Sequence, residues 1–200
     1  MKVGMIFECG PQGADKQVAE YLTRQLRADA TISPVTLDNK ANLLRDAGQA
    51  AKQLLADGCC CVLILWDLRP AWPEPGGKPC RHAERQTVLD ALRVAGVANS
   101  EPVHLVCVQQ ELESWLLANE RAISALLSTD AHPIKHRRNK QPDQVIQPKA
   151  VLVAYFKKAR GWRYDDKVDA IRVLKASPID LPRLRQSASF TRFEQKLLSC

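Results

Sequence analysis

No stretch of this chain approaches the roughly 20 consecutive apolar residues that a membrane-spanning helix needs, and none of its seven cysteines forms a C-x-x-C pair. The first absence argues against a helical membrane protein. The second removes the commonest zinc and thiol-redox patterns. Three cysteines are contiguous, Cys59, Cys60 and Cys61. Neighbouring strand residues point to opposite faces, so the three cannot converge on one ion. The cysteines read instead as small buried hydrophobes in a reducing compartment. Neither G-x-G-x-x-G nor a P-loop occurs, so any ATP dependence has to come from another chain. Internal repeats, coiled-coil heptads and low-complexity tracts are missing as well. The chain enters an apolar run at once, with a single Lys2 and an acid at Glu8. That is unlike a signal peptide, and a cytoplasmic protein of bacterial type is expected.

What is present is an alternation of buried strands and amphipathic helices. Cys59 to Trp66 is an unbroken apolar run that ends in Asp67, bounded by Gly58 and Pro70. Such a run predicts a strand covered on both faces, as in a parallel sheet. Val3 to Phe7 has the same form and ends in Glu8 before the turn Cys9-Gly10-Pro11. Helices are predicted over 14–28, 41–57 and 82–95, and strands over 32–37 and 103–108. The strand over 32–37 contains Pro34, which places it near an edge. Strand alternating with helix implies a parallel sheet with right-handed crossovers, an α/β fold. Residues 69–80 hold four prolines and two glycines. They predict a loop over the carboxyl end of the central strand, with Trp72 either packed there or free to stack a base. Further helices are predicted over 149–160 and 165–176, before a closing helix with Phe190, Phe193 and Leu197 in phase.

Ligands of open α/β sheets bind beyond the carboxyl ends of the strands. Two central strands that each deliver an acid there, Glu8 and Asp67, can build a divalent-metal site. Either acid alone serves equally well as a helix cap. The strand over 103–108 runs into Glu111 and Glu113 and brings a third acidic position to the same edge. Favourable pairing with a helix dipole explains those two as readily. His132 and His136 have no ligand-spaced partner and read as loop residues.

Charge divides the chain. Residues 1–130 carry 13 Lys/Arg against 16 Asp/Glu, and residues 131–200 carry 16 against 6. The expected organisation is an α/β core over 1–130 with a basic helical extension over 131–200 packed on it. An acidic site beside a basic part fits a nucleic-acid enzyme. A solvated basic surface, or a face for an acidic partner protein, fits the charge as well. In the extension, Lys135, Arg137, Arg138 and Lys140 form a basic loop suited to phosphate contacts.

Three blocks resemble one family. The first is the opening strand ending in Glu8 before a glycine. The second is Val103 to Asn119, close to an E-x-W-L-L-A-D signature. The third comprises Pro148-Lys149, Tyr164-x-x-Lys167 and Ser187-x-Ser189-Phe190-x-x-Phe193. They resemble, in order, the Toprim-like domain-of-unknown-function family 4276. The resemblance implies a Toprim-like, mostly parallel sheet flanked by helices, as in the OLD-type nucleases, topoisomerases and primases. It also implies an anti-phage nuclease effector controlled by a partner ABC-type ATPase. Carried over, Glu8, Asp67 and Glu113 become the metal ligands for Mg2+ or Mn2+. Lys149 becomes a catalytic group for the transferring phosphate, and Tyr164 and Lys167 become backbone contacts. Two positions depart from the pattern. Arg69 stands where the D-x-D motif has its second acid, and Asn119 closes the signature in place of Asp. Arg69 is then either a phosphate grip or a mark of decay, and Glu111, Glu74 or Glu84 are substitutes for the missing carboxylate.

The implied reaction is metal-dependent hydrolysis of RNA or DNA. The alternatives are a catalytically weak Toprim-like subunit that binds nucleic acid or the ATPase, and a phospho-receiver. A receiver wants paired acids after the first strand and a Lys after the fifth, which this sequence does not offer. Oligomeric state is silent in the sequence, and a homodimer stays open.

Overall fold

The computed structural model describes residues 1–74, 76–98, 101–136 and 139–200. Its centre is a pair of strands, β1 (Lys2–Phe7) and β3 (Cys61–Asp67), lying parallel with Val3 opposite Cys61 and Phe7 opposite Leu65. β2 (Thr31–Thr36) adds to the far side of β1, and β4 (Val103–Val108) to the far side of β3. The order is therefore β2-β1-β3-β4, all parallel. The two central strands are covered on both faces, which is why they are apolar without alternation. β2 is half-exposed and carries Pro34 at the sheet's edge, as that residue predicts.

Parallel neighbours need long crossovers, and helices supply them. α1 (Ala14–Leu26) comes after β1, α2 (Lys40–Ala56) after β2, and α3 (Arg81–Val94) after β3. The pleat sends Ile6, Val62, Ile64 and Trp66 to one face, where Leu43, Ala47, Leu54 and Val88 of α2 and α3 meet them. It sends Val3, Met5, Phe7, Leu63 and Leu65 to the other. That second face is closed by α1 and by the helices beyond β4: α4 (Glu113–Ala118), α5 (Glu120–Leu127), α6 (Pro148–Arg160), α7 (Asp166–Lys175), α8 (Leu181–Leu184) and α9 (Ala188–Leu198). This is an α/β architecture with helices on both faces of a four-stranded parallel sheet, consistent with a Toprim-like fold.

The described buried apolar residues of 131–200 pack into the core of the sheet. Leu152, Phe156, Val173, Phe190, Phe193 and Leu197 belong to the same buried cluster as β1 and β3. The junction is an aromatic knot. The Trp115 ring lies 5.6 Å from Phe190 and 5.4 Å from Phe193, and its Nε1 donates to Ser189 Oγ at 2.8 Å. Asp143 accepts from the hydroxyls of Ser187 and Ser189 at 2.7 and 3.0 Å and from the Ser189 amide at 3.0 Å. The signature residues Trp115, Ser187, Ser189, Phe190 and Phe193 thus tie α4 to α9.

Two sequence readings need correction. Cys61 and Cys200 form a disulfide across a separation of 139 residues, because α9 ends over the start of β3. The reading of every cysteine as an unpaired buried hydrophobe holds for Cys59 and Cys107, whereas Cys60 and Cys80 are exposed thiols. Asn119 is no diminished ligand. Its side chain accepts from the Ala122 amide at 3.4 Å and caps α5, so an amide oxygen there serves as well as a carboxylate.

Among the described residues, no helix is long and apolar enough to cross a membrane.

Gly48 lies inside α2 against α3. In most helix interiors Gly→Ala stabilises by about 0.5–1 kcal/mol. Here the new Cβ would meet the Ala91 carbonyl oxygen well inside contact distance. Gly48→Ala is therefore expected to cost about 1–3 kcal/mol, read as a lower urea midpoint at unchanged slope. A more stable variant would show that the two helices part freely.

Candidate functional site

Parallel pairing puts the carboxyl ends of β1 and β3 side by side. Glu8 is the first residue beyond β1 and Asp67 the last of β3. The Asp67 amide donates to Glu8 Oε1 at 2.9 Å, and Asp67 Oδ2 accepts from the Leu112 amide at 3.3 Å. Both side chains are thus held in place by backbone. α1 starts just past the turn after Glu8, and its first turn brings in Asp15. One carboxylate oxygen from each of Glu8, Asp15 and Asp67 lies within 4.8 Å of the other two. They face a pocket of about 670 Å3 that Arg69, Glu113, Lys149 and Lys167 also line.

Burial governs the electrostatics. It pushes the Glu8 carboxyl up to about 8, opposed by Lys40 and by the Asp67 amide. It raises Asp15 to about 6, with Asp166 adding to the rise. Asp67 is driven well above the ordinary carboxylate range by burial and then by Asp15, Glu8 and Glu113. Glu113, 4% exposed, is pushed up to about 7 for the same first reason. Carboxylates this crowded either hold protons or share a cation. The donor set is all carboxylate oxygen, which suits a hard dication such as Mg2+ or Mn2+ rather than a thiolate- or imidazole-seeking metal. Glu8 Oε2 is buried and makes no hydrogen bond among the described residues. An acceptor so placed fits a cation.

The sequence-expected ligands are only partly brought together. Glu8 and Asp67 meet, and Asp15 stands with them where Glu113 was expected. Glu113 lines the same pocket outside that trio, its Oε1 accepting from the Tyr164 hydroxyl at 3.4 Å. Tyr164 is 3% exposed, so its assignment as a nucleic-acid contact is corrected: it positions Glu113. Burial, and after it the Glu113 charge, raises the phenol and keeps it a donor. Lys149 reaches the pocket with its Nζ 2.7 Å from Asp166. Its amide donates to Glu111 Oε2 at 3.1 Å, so Glu111 caps α6. Arg69 is half-buried on the pocket wall, its Nε without a hydrogen bond among the described residues. Lys167 is exposed at the rim. Lys135 and Lys140 are exposed, and neither lines the pocket. Arg137 and Arg138 lie outside the described residues.

Of the proposed substitutes, Glu74 is exposed away from the pocket lining and Glu84 is buried elsewhere. Glu84 accepts from Trp66 Nε1 at 2.9 Å and pairs with Lys40 at 3.6 Å. Lys40 is 8% exposed and also donates to the Pro70 carbonyl at 2.5 Å, anchoring the loop. Trp72, 45% exposed, does not line the pocket. Asp15 and Lys40 were missed by sequence reasoning. An acid in a helix's first turn is ordinary dipole pairing. Its signal lay in topology: α1 begins at the strand end that carries Glu8.

All four raised carboxyls give the pH dependence the same sign, and Glu8 shows how. Its folded value of about 8 exceeds the ordinary 4.5, so the fold binds a proton that the unfolded chain releases. That contribution is complete below the ordinary value and is lost as pH rises through about 8. In chelator, the melting temperature is expected to fall across this window, and Glu8→Gln should flatten the fall. Circular-dichroism melts across the pH range check it. An equal fall in parent and variant would move the effect to other groups.

A protein-family model described as Domain of unknown function (DUF4276) matches residues 12–198. Searches of curated proteins and of solved structures each returned no match. The matched span includes Asp15, Asp67, Glu113, Lys149 and the knot around Trp115, and it begins just after Glu8. On a match that runs through three of the four described strands and all of the described helices, the chain belongs to the domain-of-unknown-function family DUF4276.

Proposed function

We propose that this protein is a Mg2+- or Mn2+-dependent nuclease of Toprim-like type that hydrolyses phosphodiester bonds of RNA or DNA. The observation that carries the reading is the convergence of Glu8, Asp15 and Asp67 within 4.8 Å at the carboxyl edge of a parallel sheet. These three residues would hold the cation. When bound, a divalent cation supplies Lewis-acid polarisation of a phosphoryl oxygen and a more acidic coordinated water.

The chain's own groups supply the rest. Glu113, pushed up to about 7 and held by Tyr164, is suited to take up or release a proton near neutral pH. Lys149 and Arg69 line the pocket and offset phosphate charge, Arg69 through a planar fork. Asp15 supplies a third carboxylate, so Arg69 in place of the second acid of D-x-D does not leave the site short of ligands. Control by a partner ABC-type ATPase, in anti-phage defence, belongs to the same proposal and rests on family resemblance. A catalytically weak binding subunit is the competing reading, favoured by the arginine at that position.

Linkage separates the two. Mn2+ at a hundred times its dissociation constant is expected to stabilise the parent by about 2.7 kcal/mol. Asp15→Asn and Asp67→Asn should be as stable as the parent in chelator, yet lose most of this gain and all metal-dependent cleavage of RNA and DNA substrates. Tyr164→Phe should keep the metal gain and lower cleavage by about 10- to 100-fold, because it loosens Glu113, and a positioned general acid–base group is worth roughly 100-fold or more. Equal melting of the parent in chelator and in Mn2+ would remove the metal centre and leave the binding subunit.

A further inference from the structure

β4 is an outer strand, paired among the described residues with β3 alone. Along that edge lies a second pocket of about 330 Å3, which shares no lining residue with the acidic one. Its floor is Trp66, Leu105 and Cys107. Its walls are cationic: Arg81 and Arg85 come from the first two turns of α3, and Arg192 and Lys196 from α9. Each pair is spaced i, i+4, so both members point from one helix face. Among the described residues, no carboxylate lines the pocket.

The four cations are not simply a solvated surface. Arg81, Arg192 and Lys196 are half-buried, and none of the four pairs with an acid within 4.0 Å among the described residues. Arg192 Nη2 is buried without a hydrogen bond among those residues. Burial and then Arg81 work against the Arg192 charge, with Asp143 in partial relief. The oxygens of Asp143 are already engaged by Ser187 and Ser189. Burial, Arg85 and Arg192 work against Lys196, whose Nζ donates to the Leu105 carbonyl at 2.5 Å. α3 also opens here without a side-chain cap from Cys80, and its first amides precede the first intrahelical bond, from Glu84 to the Cys80 carbonyl. The unpaired Arg192 donor, repelling cations and a helix N-terminus all call for an anion with several oxygens. Guanidinium forks match phosphate in shape and charge.

We propose that the pocket at the β4 edge is a phosphate-binding site, taking a phosphoryl group of a mononucleotide or of a nucleic-acid backbone. The inference rests on this pocket alone and stands whether or not the acidic site cleaves anything.

The test titrates inorganic phosphate into metal-free full-length protein by calorimetry and thermal melts, with sodium chloride at matched ionic strength as the screening control. Phosphate is expected to raise the melting temperature beyond the chloride control. Arg192→Gln and the exposed Arg85→Gln should each weaken phosphate binding by about tenfold or more, the worth of one charge-assisted hydrogen bond. Lys52→Gln, on α2 and outside the pocket, should not. Relief of repulsion should leave both pocket variants at least as stable as the parent without phosphate, so loss of binding will not be loss of fold. AMP and a single-stranded 12-mer then separate the sources. If the backbone is the ligand, each variant lowers the 12-mer's salt slope by about one. If a mononucleotide is the ligand, AMP binding weakens instead and the slope stays. No phosphate effect beyond chloride, or an equal effect in parent and pocket variants, overturns the proposal.

Discussion

The parallel pairing of β1 with β3 is the constraint on which the remaining arrangement depends. Two strands buried on both faces must run the same way if helical crossovers are to cover them. Running the same way, they end at the same edge, and so do the acids at their ends. The bond from the Asp67 amide to Glu8 Oε1 is the direct product of that register. Once Glu8 is fixed, the turn after it can only start α1 alongside, and Asp15 arrives as a third carboxylate. The site owes as much to topology as to the choice of residues.

The second half of the chain answers the charge that the first half concentrates. Lys149 and the Tyr164 hydroxyl come from α6 and the turn beyond it. Their positions rely on the knot of Trp115, Ser189, Phe190 and Phe193, which sets α4 against α9 and so aims Glu113 at the pocket. The most recognisable residues of the sequence are thus mostly scaffolding. Trp115 is fully buried and acts on the site only through the backbone it holds.

Most of the architecture was legible because its elements announce themselves by periodicity. The unbroken apolar runs gave β1 and β3, Pro34 marked an edge strand, and the stripes of α1, α2 and α9 are in phase. Glu8 and Asp67 were legible for the same reason, as acids that end buried strands. What stayed hidden depends on three-dimensional neighbours. Asp15 looks like any first-turn acid. Tyr164 sits in a basic segment, which reads as surface until its burial against Phe156 is seen. Asn119 resembles a lost ligand until it is found capping α5. The cations at the β4 edge come from positions as far apart as Arg81 and Lys196, and no pattern of spacing joins them. The link between Cys61 and Cys200 is equally remote in sequence.

The bonds from the Lys149 amide to Glu111 and from the Tyr164 hydroxyl to Glu113 bear on how this chain tolerates change. The segment that supplies the acids and the segment that supplies their counter-charges are not interchangeable modules. A graft of residues 131–200 from a relative would carry its own helix start and tyrosine, set for a different acidic edge. A carboxylate left without its donor becomes an unpaired charge in a buried place, and the cost is felt by both halves. Relatives should therefore diverge at these positions in concert, so that a chimera inherits its defects at the seam between two parents that are each sound.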